Sequence, residues 1–178
     1  MQRHRPRYET DGDRGRESDF SRLISQKFKC TLAKMPDLSG VDFCAIRDGR
    51  VVGFIEIKIR SNPHWQYPTY MISLKKLDTA SAAMGALNVP TVLAVRWSDS
   101  WGYVPLSDIT DHASAIGGRV DRADPQDMEP VALIPMSRFT ITPTASAGHS
   151  PATGSSAFAH PDDPARGGAG HQESSDWP

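Results

Sequence analysis

GVDFCAIRDGRVVGFIEIKIR, residues 40 to 60, is two apolar runs joined at Asp48-Gly49. An Asp-Gly pair between alternating apolar residues is a strong short-range signal for a β-hairpin, so Val41 to Arg47 and Arg50 to Arg60 are expected to be antiparallel strands. Three charged residues interrupt them. Asp42 lies on the first arm, Glu56 and Lys58 on the second. Alternate residues of a strand share a face, so Glu56 and Lys58 point one way and Ile57 the other. Register decides where Asp42 goes. A straight two-residue loop puts it opposite Ile55, away from Glu56; one extra residue in the hairpin puts it opposite Glu56. The sequence is therefore expected to carry a bulge or a G1-type loop at Gly49 or Gly53. With that bulge, two carboxylates and an ammonium line one pocket suited to a hard divalent cation and a phosphate. The competing reading is a structural Glu56–Lys58 pair on an exposed strand face, with Asp42 in a turn.

Outward from the hairpin, Gly15 to Lys29 reads as a helix with Phe20, Leu23, Ile24 and Phe28 on one stripe. Glu17 falls on the edge of that stripe, either as an inward-facing acid or as a first-turn complement to the helix dipole. Cys30 to Met35 reads as a short strand, and Asp37 to Gly40 as a turn. After a loop from Ser61 to Thr69, Ser73 is the expected N-cap of a second helix running to Leu87, its core stripe formed by Leu74, Leu77, Met84 and Leu87. Asn88 and Pro90 end it. Thr91 to Trp97 is nearly all apolar, as in a strand covered on both faces. Tyr103 to Pro105 and Val131 to Pro135 are the remaining strands. Ser107 to Glu129 reads as polar connection, and Phe139 as an anchor packing back on the body.

Composition divides the 178 residues into a Met1–Asp13 arm, a body over 14–140, and a tail over 141–178 rich in Pro, Gly, Ser and Ala. The tail has too little aliphatic surface to offset its ordering entropy and is expected to be disordered. His149, His160 and His171 within it are widely spaced and read as solvated. Of 20 bases and 21 acids, the tail holds one base and four acids, leaving the arm and body together with 19 and 17. That is weakly basic, compatible with nucleic acid and far from a non-specific DNA coat. Cys30 and Cys44 form no C-x-x-C pair, which suits reduced thiols in the cytoplasm. No apolar run is long enough for a membrane span.

The order helix, strand, two-stranded hairpin, helix, strand, together with D-x13-E-x-K, resembles the PD-(D/E)xK nuclease superfamily, and within it small phage and prophage proteins. Val41 stands where the name-giving pattern has Pro. The resemblance spans about residues 8 to 140. It implies an α/β fold of restriction endonuclease type, an αβββαβ core with a mixed central sheet flanked by helices. It also implies a DNA nuclease dependent on Mg²⁺ or Mn²⁺, in phage or bacterial DNA processing. Asp42 and Glu56 would be metal-binding carboxylates, the Ile57 carbonyl a further ligand, and Glu17 the helical glutamate completing the shell. Lys58 would orient or activate the attacking water and stabilise the transition state. Like charges about 4 Å apart repel by roughly 4 kcal/mol at an effective dielectric near 20, and a divalent ion reverses that sign.

Around this centre, Lys75 and Lys76 at the start of the second helix are candidate phosphate contacts or a solvated face. Arg60 is a candidate phosphate contact too. Tyr70, with His64, Trp65 and Tyr67, could stack on bases or pack the loop. Two other functions fit the same fold: a dimeric Holliday junction resolvase-like endonuclease, and a DNA-binding protein without cleavage.

Overall fold

The computed structural model describes residues 11–36, 39–118 and 128–144. Helix α1 spans Asp11–Phe28, and Phe20, Ile24 and Phe28, four apart, are fully buried with Leu23 packed beside them. Lys29 takes a left-handed conformation at φ 48° and turns the chain into β1, Thr31–Lys34. Strands β2, Phe43–Arg47, and β3, Arg50–Ile59, form the hairpin. Then come β4, Thr69–Ser73, and α2, Leu74–Leu87. Strands β5, Thr91–Arg96, and β6, Ser100–Pro105, follow. Strands β7, Ala113–Gly118, β8, Met128–Pro135, and β9, Thr140–Pro143, complete the described chain.

Six strands make the central sheet in the order β1-β2-β3-β5-β6-β9. The β3–β5 pair is parallel and every other pair antiparallel, so the sheet is mixed. Helix α1 lies on one face, where Phe20, Ile24 and Phe28 meet Ile55, Ile57, Val92 and Ala94. The opposite face carries a second core, in which Leu93 and Val95 meet Leu77 and Ala80 of α2 and Ile72, Ala132 and Ile134 of a three-stranded sheet ordered β4-β8-β7. Strand β5 supplies residues to both cores alternately, which is why Thr91 to Trp97 carries almost no polar residue. The α-β-β-β-α-β order expected from the sequence is present, with β4 inserted before α2.

The hairpin holds the register on which the site depends. Arg47 pairs with Arg50 across a two-residue turn, Asp48 at φ 50° and Gly49 at φ 72°. Positive φ at both positions is the turn geometry whose twist matches the strands, and Asp-Gly supplies it at low strain. Ile46 then pairs with Val51 and Ala45 with Gly53, leaving Val52 as an extra residue on β3. This is the bulge the sequence calls for, beside Gly53. Beyond it Phe43 pairs with Ile55, so Asp42 comes level with Glu56.

Other expectations need correction. Tyr70 to Ile72, unassigned in the sequence, form β4, and the polar 107–129 stretch contains β7 and the start of β8. Edge strand β7 is exposed along most of its length, so its sequence carries no buried alternation. Leu87, in the last turn of α2, is 57% exposed, and Ala80 rather than Leu87 is buried with Leu77. Ser73 precedes α2 but makes no side-chain cap; its hydroxyl donates to Glu129 Oε2 at 2.8 Å. Helix α1 begins at Asp11, inside the stretch assigned to the arm, and β9 extends the ordered body to Pro143, past the boundary at 140. The rest of the arm and of the tail lies outside the described residues. No helix among the described residues is long and apolar enough to cross a membrane.

Candidate active site

Asp42 enters the site as the chain leaves the ladder. Its N–H donates to Ile55 O at 3.1 Å and its carbonyl accepts the Met35 N–H at 2.9 Å, so its backbone is fixed from both neighbouring strands. Its Oδ2 accepts the Ile57 N–H at 2.8 Å. Glu56 sits mid-strand, 1% exposed, on the side of the sheet away from α1. A carboxylate buried to that degree needs compensating charge. Two lysines provide it. Lys58 bonds Glu56 Oε1, and Lys76 donates to Glu56 Oε2 at 2.8 Å and to Gly40 O at 2.8 Å. The Lys58 ammonium also donates to Ile57 O at 3.1 Å and lies 3.9 Å from Asp42 Oδ2. One cation thus meets both carboxylates and the Ile57 carbonyl. Burial works to lower the Lys58 pKa, but Glu56 and then Asp42 outweigh it and hold the ammonium above its ordinary range.

Asp42, Glu56, Ile57 and Lys58 are therefore brought together, as the sequence expects. Glu17 is not. Helix α1 packs on the Ile57 face of the sheet, and the Glu17 carboxylate pairs with Lys34 of β1, whose ammonium also lies 4.6 Å from the Phe43 ring centroid. Among the described residues no three His, Cys, Asp or Glu side chains gather as a metal set. Lys76 has a different place from the one expected: its ammonium is committed to Glu56 instead of facing a phosphate. Lys76 lies four residues before Ala80 on the buried face of α2, a face fixed only by how the helix packs. Lys75 is exposed on the next position round the helix.

Tyr70 also departs from expectation. Its ring packs edge-on against Trp97 and tilted against Phe139, with the Arg60 guanidinium 5.3 Å from its centroid, so it is no open stacking face. Burial pushes its hydroxyl pKa up against the opposing pull of Arg60, and that oxygen makes no well-aligned hydrogen bond among the described residues. A contact without any local sequence signal joins two loops: Asp99 accepts the His64 N–H at 3.0 Å through Oδ1 and the ring Nδ1–H at 2.9 Å through Oδ2. Burial alone would raise the Asp99 pKa, but these bonds, with one from Ser100, bring it below the ordinary value.

Two carboxylates and one carbonyl offer oxygens of the kind a hard cation takes, and the two lysines beside them carry the charge an anion takes. Residues 3–142 match the family described as "Phage putative PDDEXK endonuclease". The chain belongs to this family. It is a DNA nuclease of the PD-(D/E)xK group, and the hairpin motif read from the sequence lies inside the matched region. Among solved structures it is similar to a Holliday junction resolvase from Archaeoglobus fulgidus, Hjc, at 14% identity and a TM-score of 0.44, over 68% of this chain and 81% of that one. At that depth the likeness decides neither reaction nor substrate. No curated protein matches the chain.

Proposed function

We propose that the PD-(D/E)xK chain hydrolyses DNA phosphodiester bonds at Asp42, Glu56 and Lys58 with Mg²⁺, or Mn²⁺ in its place. The observation that carries this reading is the sharing of one cation by Asp42 Oδ2, Glu56 Oε1 and Ile57 O. Oxygens that converge on one ammonium suit a small hard ion, and carboxylate, carbonyl and water are the ligands magnesium prefers. Asp42, Glu56 and the Ile57 carbonyl would hold it, and when bound it would polarise the phosphate and acidify water.

The protein's own groups do the rest. Lys58, kept protonated by its carboxylate neighbours, acts as a cation toward the phosphate oxygens and not as a base. Lys76 holds Glu56 from the far side and ties α2 to the Gly40 turn, so it positions the carboxylate. Lys75 and Arg60, both exposed, are left for the DNA backbone. Glu17, neutralised by Lys34, has no place in this ligand set. The reaction belongs where phage or bacterial DNA is processed, in the cytoplasm. Purified protein is expected to cut linear, single-stranded or branched DNA with Mg²⁺ or Mn²⁺ and not with EDTA. Glu56→Gln and Lys58→Met are each expected to abolish cutting while keeping much of the DNA binding. Binding without cutting of any of these forms, with either ion, would leave the fold as a DNA-binding protein.

A further inference from the structure

Beyond Lys58 the same strand runs into a second, differently built recess. Arg60 follows Lys58 by two residues, its N–H donating to Arg96 O at 2.8 Å, and its side chain lines a cavity of about 410 Å³. His64, Tyr67, Tyr70, Trp97 and Met136 line it with Arg60. Trp97 lies edge-on to both His64 and Tyr70, at 6.3 and 6.2 Å between ring centroids. Tyr67, by contrast, is 58% exposed and belongs to no core. Polar atoms are few. The Tyr70 hydroxyl is buried, on a residue 6% exposed, and makes no well-aligned hydrogen bond among the described residues, with Arg60 its nearby cation. Asp99 holds the His64 ring by Nδ1, which leaves Nε2 as its other polar atom.

Nothing in the chemistry assigned to Asp42, Glu56 and Lys58 uses this cavity. Its size falls within the usual range for small-molecule pockets, about 300–1,000 Å³. Its walls are aromatic, its polar groups stand apart, and a cation is among its lining side chains. A long aliphatic ligand would leave the Tyr70 hydroxyl and the His64 ring unanswered, and a buried hydroxyl without a well-aligned partner is an uncommon feature in a folded protein. A planar heterocycle with hydrogen-bonding edges, attached to a phosphate chain, answers all three.

We propose that this cavity receives a nucleobase unstacked from the DNA strand whose phosphate lies at Lys58. Tyr67 stacks on the base, the Tyr70 hydroxyl and His64 Nε2 meet its polar edge, and Arg60 meets the adjoining phosphate. The proposal rests on the nuclease reading and narrows its substrate class. DNA whose bases leave the stack at little cost (single strands, gaps, branch points, mismatches) is preferred over continuous duplex, because extracting a paired base costs pairing and stacking energy.

The test is an abasic walk. Short single-stranded oligonucleotides, each lacking one base at a different position, are bound to the full chain in EDTA, which stops cutting. One position is expected to weaken binding about tenfold, in line with base–aromatic stacking. Tyr67→Ala is expected to weaken binding of the intact strand equally and to abolish the penalty of that abasic position, since both remove the same contact. Tyr70→Phe, which deletes only the hydroxyl and so preserves the fold, is expected to lower affinity for the intact strand and not for the abasic one. Equal binding at every abasic position, or losses that add independently of Tyr67, would overturn the base pocket. Cutting of the intact strand with Mg²⁺ separates the two readings. A strand that is cut with no sensitive position removes the pocket and leaves the nuclease. A sensitive position on a strand that is never cut keeps the pocket and removes the nuclease.

Discussion

At the scale of the residue, Glu56 sets the energetics of the site. Its carboxylate is nearly inaccessible, and each oxygen has one lysine. Removing a partner from a buried charged acceptor costs about 1–3 kcal/mol, more when no other cation is near. Lys76→Ala is therefore expected to lower the melting temperature of the metal-free protein, and added Mg²⁺ to restore more of it than in the wild type. A Tm that Lys76→Ala does not move would mean that Glu56 is compensated elsewhere. Lys58 sets up a competition, since its ammonium meets the three oxygens proposed for the metal. Lys58→Met is expected to bind Mg²⁺ more tightly by calorimetry while failing to cut. The pairing of Asp42, Glu56 and Lys58 was legible because the spacing of charges in apolar strands leaves few other arrangements. The roles of Lys76 and Tyr70 were not, since each depends on which face of a packed element turns inward.

At the scale of the element, the extra residue Val52 decides whether Asp42 reaches the site. One residue inserted after Gly53 would set Asp42 opposite Ile55, and such a slip turns side chains to the opposite face. The insertion is expected to abolish cutting and to lower stability, because Phe43, buried against α1, would turn out with Asp42. Cutting at the wild-type rate by the insertion variant would show that this register does not position the carboxylate. The hairpin was readable because Asp48-Gly49 marks its turn and the face rule demands a bulge. Strands β4 and β7 were not. Thr69 to Ser73 sits between a Pro-containing loop and a helix with no turn signal of its own after Pro68, and β7 is an exposed edge. Glu17 failed for a related reason: helical spacing places it on the stripe's margin, and only the tertiary partner Lys34 decides where its carboxylate ends. Glu17→Gln is accordingly expected to keep cutting within a few-fold of wild type, and a loss as deep as that of Glu56→Gln would restore Glu17 to the ligand set.

At the scale of the whole molecule, one sheet divides the labour. Its α1 face is closed by aromatic and aliphatic packing, while its other face carries the charged cluster, α2 and the small second sheet. Strand β3 belongs to both, because Ile55 and Ile57 enter one core as Glu56 and Lys58 face the other. The family match ends at residue 142 and the last strand at Pro143. A chain ending at Thr144 is therefore expected to keep the melting temperature and cutting rate of the full protein, and a large loss of either would give the tail a part in the fold or the reaction. The most direct measurement of the central claim is cleavage of labelled DNA by wild type and by Glu56→Gln, side by side, with Mg²⁺, Mn²⁺ and EDTA. The account predicts cutting by the wild type with a divalent ion alone and none by the variant under any condition. Equal cutting by both proteins would contradict it.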